Sequence, residues 1–143
     1  MKNYYLFFLL LTFHFSLFTV VSASKSDAYY HYLLGNIAQM KGEYPQAIEE
    51  YKKSTLYDNG SVYLKKQLVN LYILTGDTKA ASEVLSEISK VTPADQSTSE
   101  LMAELSIYNK KPEDAISVYE KILSSAPANE KALYNLGVLY SET

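Results

Sequence analysis

Apolar positions follow two regimes along this chain. From Leu6 to Val21 they form a mostly apolar, uncharged run of 16 residues. Further on they recur at three- and four-residue steps, as in Tyr30, Leu33, Leu34 and Ile37, the spacing of one helix face. These periodic stretches are short and are broken by turn residues. Lys41-Gly42-Glu43-Tyr44-Pro45 closes one helix and opens the next, and Gly76-Asp77 and Pro112-Glu113-Asp114 do the same later. Gly42 suits the left-handed backbone of a tight helix exit. Pro45 suits a first helical turn, where its missing N–H costs nothing. Asp77 is a good N-cap, and Glu113 and Asp114 fall at the positive end of a helix dipole. Thr92-Pro93 and Ala126-Pro127 end their helices because proline cannot continue one. The pattern predicts an all-α chain of helix pairs.

The pairs repeat. Shifted by 34 residues, the chain aligns Ala47 with Ala81 and Ala115, and Leu34 with Leu68, Met102 and Leu136. Gly35, Val69, Ala103 and Gly137 follow as compact residues, and Tyr51, Leu85 and Tyr119 as bulky ones. Gly42 and Gly76 align with Lys110, and Pro93 and Pro127 with Asn59. No gap is needed between residues 28 and 143. The arrangement resembles the tetratricopeptide repeat family, whose unit is a helix–turn–helix of about 34 residues carrying Leu-Gly, Tyr, a turn Gly, Ala, an aromatic and Pro. Copies span 28–61, 62–95 and 96–129, and 130–143 begins a fourth, so residues 24–143 read as one repeat domain. Because the fourth copy stops halfway, a longer protein is expected, and the alternative function is an N-terminal repeat module of a larger envelope enzyme or secretion subunit.

The resemblance implies a right-handed α-solenoid with a concave groove for a partner peptide or protein segment. Ala47, Ala81 and Ala115 are expected where paired helices approach most closely. Tyr51, Leu85 and Tyr119 are expected to fill the space between repeats, and Tyr51, Tyr72, Tyr119 and Tyr140 to be core. The groove positions implied by the family lie on the first helix of each copy. They are Tyr29, Tyr32, Asn36 and Gln39, then Tyr63, Lys66, Asn70 and Ile73. Ser97, Glu100, Glu104 and Ile107 follow, with Lys131 and Tyr134 in the last copy. Rings there supply contact area, and amides and ammonium groups supply polar contacts. Lys66, Asn70 and Lys131 also match the carboxylate clamp of some family members. Leu101 and Asn135 depart from it, and Glu100 and Glu104 would repel a carboxylate, so the clamp is not expected.

The N-terminal run changes the setting. Lys2, the apolar stretch and Val21-Ser22-Ala23 have the layout of a secretory signal over residues 1–23, cleaved after Ala23. A retained anchor is the competing reading. Sixteen helical residues reach only about 24 Å, short of the ~30 Å hydrocarbon core. Either way the repeats are expected outside the cytoplasm, in the periplasm or bound to the bacterial envelope, with membrane contact only through this segment.

Composition narrows the chemistry. The chain of 143 residues has a net charge of −3, no Cys and no Trp, and all five Phe lie in the first 18 residues. Every basic side chain is Lys. Without Cys there is no disulfide framework, zinc finger or thiol enzyme. A mildly acidic, Arg-free chain is a poor nucleic-acid binder. His14 leaves with the signal, and His31, between Tyr30 and Tyr32, reads as a packing residue. No triad, nucleophile elbow or phosphate loop is present, so neither catalysis nor a cofactor or metal is expected. Glu49-Glu50 and Glu100/Glu104 read as solvated helix faces. Asn59-Gly60-Ser61 matches a glycosylation acceptor and reads as a turn. Tyr, Asn and Lys remain as the recognition chemistry of a non-enzymatic scaffold.

Overall fold

The structure, a computed structural model, describes residues 24–93 and 95–142. The expected signal segment, residues 1–23, lies outside them. Seven helices and no strands occur among the described residues: α1 (24–40), α2 (Tyr44–Tyr57), α3 (Val62–Thr75), α4 (Thr78–Val91), α5 (Gln96–Tyr108), α6 (Pro112–Ser125) and α7 (Glu130–Glu142). None of these helices is long and apolar enough to cross a membrane. The chain divides into two compact units, one ending at Ser61 and one beginning at Val62.

The first unit is the pair α1–α2. Gly42 (φ +78°) ends α1 in the left-handed conformation. Its N–H donates to Gln39 O at 3.0 Å and the Glu43 N–H donates to Ala38 O at 2.9 Å, satisfying the last carbonyls of the helix. Pro45 follows in the first turn of α2. The two helices close on small residues. Ala47 is fully buried, and the buried Ser54 hydroxyl donates to Ala28 O at 2.6 Å. Tyr51 also lies at zero exposure. A Cβ placed on Gly35 would stand 2.6 Å from its ring, so only glycine admits that ring against α1. The ring expected to fill space between repeats therefore sits on the first helix of its own repeat.

In the second unit the same devices recur with substitutions. Gly76 (φ +82°) ends α3, and Asp77 caps α4 by accepting from Ala80 N at 3.1 Å. Lys110 takes the corresponding turn at φ +58°, the one non-glycine residue in that region among those described. The Lys111 N–H still donates to Ser106 O at 2.9 Å, so the turn keeps its bonds at some backbone cost. Asp95 and Asn129 cap α5 and α7, accepting from Thr98 N at 2.7 Å and Ala132 N at 2.8 Å. The core joins Ala103 of α5, Ala115, Tyr119 and Ile122 of α6, and Ala132 and Leu139 of α7. Tyr119 thus packs on its own repeat and on the next. Burying apolar area at about 25 cal/mol per Å² is what holds such short helices together, since alone they are marginal.

Tyr140 corrects the core assignment. Its register partner Tyr72 is buried, whereas Tyr140 is 54% exposed and donates to Glu120 Oε1 at 2.6 Å. Tyr72 lies on a helix flanked by α4 and α5, while among the described elements α7 packs chiefly on α6. The glutamates also differ from expectation. Glu49 is solvated, but Glu50 is buried, where it bridges His31 Nδ1 at 2.7 Å and Lys53 Nζ at 2.9 Å. Those partners, His31 first, hold the Glu50 carboxyl below its usual range. His31 also stacks on Tyr57 with ring centroids 5.6 Å apart, so it is a packing residue with a fixed carboxylate partner.

Candidate peptide-binding site

The first helices of the second unit carry the site. On α3, steps of three and four residues place Tyr63, Lys66 and Asn70 along one face. The same rule groups Ser97, Glu100 and Glu104 on α5, and Lys131 opens α7. These seven side chains, with Gln67 and Leu101, line a cavity of about 370 Å³. Tyr134, expected beside them, does not line it and is 72% exposed.

The charges in the cavity are already committed. Lys66 Nζ lies 2.5 Å from Asp95 Oδ2 and 3.0 Å from Ser97 Oγ. Lys66, then the Thr98 hydroxyl and N–H, pull the Asp95 carboxyl down to about 2. The cap of α5 therefore also neutralises the lysine that would have served a clamp. Lys131 Nζ stands 3.0 Å from Glu100 Oε2 and 3.0 Å from Glu104 Oε1. Burial alone would lower its pKa, but hydrogen bonds to Glu100 and Glu104 raise it to about 12. For Glu100, burial pushes the carboxyl up, and Gln96 (Nε2 to Oε1, 2.9 Å) and Lys131 more than offset it. Glu100 and Glu104 are half-buried parts of a network, which corrects their reading as a solvated face.

Beneath this wall lies Tyr119, which the groove assignment missed. It is fully buried, and its hydroxyl has no hydrogen-bond partner. Burial raises its pKa, and the charges that act on it are Glu104, Lys131 and Glu100, all three lining the cavity. The signal was in the repeat register, where Glu104 replaces the amide Asn36 that serves Tyr51.

In the first unit the expected positions are arranged differently. Tyr29 is exposed, with its ring centroid 6.3 Å from that of the half-buried Tyr32. Tyr32 stacks on Tyr51 at 5.9 Å. The Tyr51 hydroxyl stands 2.9 Å from both Asn36 Oδ1 and Gln39 Oε1 and donates its one proton between them, so both amides are tied to the core. Elsewhere in the second unit a shallower hollow of about 560 Å³ is lined by Ser82, Ser86, Ser89 and Ser106 among others. Ser89 and Ser106 bond carbonyls of their own helices. No group of three or more His, Asp or Glu able to hold a metal ion stands among the described residues.

The comparisons with known proteins agree with this fold. The family model described as Tetratricopeptide repeat matches residues 38–105. Human tetratricopeptide repeat protein 21A is 29% identical over 94 residues, covering 66% of this chain, and the match spans only 7% of that protein's length. Among solved structures, the first TPR of Spaghetti (RPAP3) bound to the HSP90 peptide SRMEEVD superposes with a TM-score of 0.70 at 19% identity. That likeness covers 82% of this chain and 94% of the other. The TPR domain of Arabidopsis OM64 gives 0.72 at 10% identity, covering 84% and 99%. With the 34-residue register, the paired helices and the buried alanine–aromatic contacts in place, the chain has the tetratricopeptide-repeat fold, and its residues 38–105 match that family's model.

Proposed function

We propose that the chain is a non-enzymatic interaction module that holds an extended segment of a partner protein against the first-helix wall of residues 62–142. The observation that carries this reading is the cavity of about 370 Å³, to which three successive first helices contribute Tyr63, Asn70, the Glu100/Glu104 pair and Lys131. Such a wall offers ring area and polar anchors on rigid elements, which suits a chain segment better than a small reactive substrate. The Spaghetti (RPAP3) domain, similar in fold, is bound to a peptide, which supports the same use of the fold here.

The reading includes export. The leader-like residues 1–23 would deliver the repeats to the periplasm or the envelope surface, where the partner would be met. Intact-mass measurement of the protein from its host should place the mature N-terminus at Ser24.

Photocrosslinking tests the wall. A benzoylphenylalanine at Asn70 should trap a partner in the native host, and the same residue at the exposed Ser117 of α6 should not. Equal trapping at both positions, or trapping only at Ser117, would reject the wall as the binding surface. The Tyr63→Ala/Asn70→Ala double variant should lose the partner while keeping its far-ultraviolet circular dichroism.

A further inference from the structure

The chemistry of the partner follows from an imbalance inside the cavity, and this step rests on the wall being the binding surface. Lys66 is neutralised by Asp95 at 2.5 Å. Glu100 and Glu104 then share the single cation Lys131, which leaves one negative charge in excess at the wall. The buried Tyr119 hydroxyl is a further polar group without a hydrogen-bond partner, in the core that joins α5, α6 and α7. Two repeats earlier, the Tyr51 hydroxyl is satisfied by Asn36 and Gln39. The matching positions here are Glu104, engaged by Lys131, and Ile107, which offers no acceptor.

An ammonium carries three donors and a guanidinium five. The two carboxylates, which converge on Lys131 at 3.0 Å each, are acceptors for such a group. We propose that this cavity takes a lysine or arginine side chain of the partner segment, and that Lys131 is an internal place-holder which that side chain displaces. The Lys131 side chain is suited to leave, being 52% exposed, whereas that of Lys66 is only 16% exposed and is locked to the cap of α5. An acidic segment, like the SRMEEVD peptide of the Spaghetti domain, would instead meet Glu100 and Glu104 and find both lysines engaged.

Selection of randomised 12-residue displayed peptides on the full chain, followed by fluorescence anisotropy of the enriched sequences, tests this. Lys or Arg should be enriched at one fixed position. Affinity should fall about tenfold in Glu104→Gln and Glu100→Gln, and fall with added salt. It should rise about fivefold in Lys131→Met, because the competitor is gone. Enrichment of acidic peptides whose affinity drops in Lys131→Met would overturn the charge assignment and leave the wall in place as the binding surface. Enriched peptides indifferent to Glu104→Gln, Glu100→Gln and Asn70→Ala would overturn the wall itself, and absence of any enrichment would overturn both.

Discussion

Tyr51 and Tyr119 stand two repeats apart in one register, both at zero exposure, and their hydroxyls meet opposite fates. In residues 24–61 the hydroxyl sits 2.9 Å from the amide oxygens of both Asn36 and Gln39, so the polar wall of α1 is used to hold the helix pair together. In residues 62–142 the position of Asn36 is Glu104, which turns to Lys131 and leaves the Tyr119 hydroxyl without a partner. One repeat position can therefore satisfy a buried hydroxyl in one unit and leave it unsatisfied in another. What decides it is whether the facing first-helix residue is a neutral amide or a charge that finds a better partner. A neutral hydrogen bond contributes about 1 kcal/mol, and a bond to a charged group about 1.5–3, so the ion pair wins the carboxylate.

The largest effect should come from glycines in equivalent positions. Gly35→Ala puts a Cβ 2.6 Å from the Tyr51 ring and should destabilise by about 1–3 kcal/mol. Gly137→Ala meets nothing within 4 Å and should stabilise α7 by about 0.5–1 kcal/mol, because alanine suits a helix better than glycine. Urea unfolding of both variants checks the pair, and changes of the same sign would break the comparison.

A smaller contrast should separate the tyrosines. Tyr51→Phe removes a satisfied hydroxyl and should cost about 1 kcal/mol, while Tyr119→Phe should be neutral or slightly stabilising. Thermal melts of the two variants decide this. Equal losses would mean that the Tyr119 hydroxyl is satisfied in solution.

The smallest effect concerns acid. The Asp95 carboxyl is held at about 2, below its unfolded value of about 3.9. Its stabilisation is therefore complete above roughly pH 5 and fades as pH falls toward 2. Asn also caps a helix but does not titrate. Asp95→Asn should consequently flatten the loss of stability between pH 5 and 2 by about 1 kcal/mol, allowing for solvent screening. Melting temperatures across that range test it. A parallel decline in variant and parent would remove Asp95 from the acid response.

Much of this was legible in the residues. The 34-residue register placed the turns at Gly42 and Gly76, the cap at Asp77, the acids Glu113 and Asp114 in the first turn of α6, and the buried Ala47, Ala81 and Ala115, because these depend on local backbone geometry. The groove positions that the family resemblance implied include Tyr63, Lys66, Asn70, Glu100, Glu104 and Lys131, and these six line one cavity. Their electrostatics were not legible. Lys66 read as an available cation until Asp95, 29 residues away, closed on it. Glu50 read as solvated until His31 and Lys53 buried it. Tyr140 read as core by analogy with Tyr72, although a ring is buried only where another helix covers it.

By itself the sequence determined the helix pairs, their period, their ends and the faces they turn inward, because each is set by contacts within a few residues. Only the tertiary structure decided which charges are spent on one another and which polar atom is left over. Those outcomes turn on differences of an ångström or two between side chains brought together from distant helices, where the strength of an ion pair or hydrogen bond changes most steeply with distance.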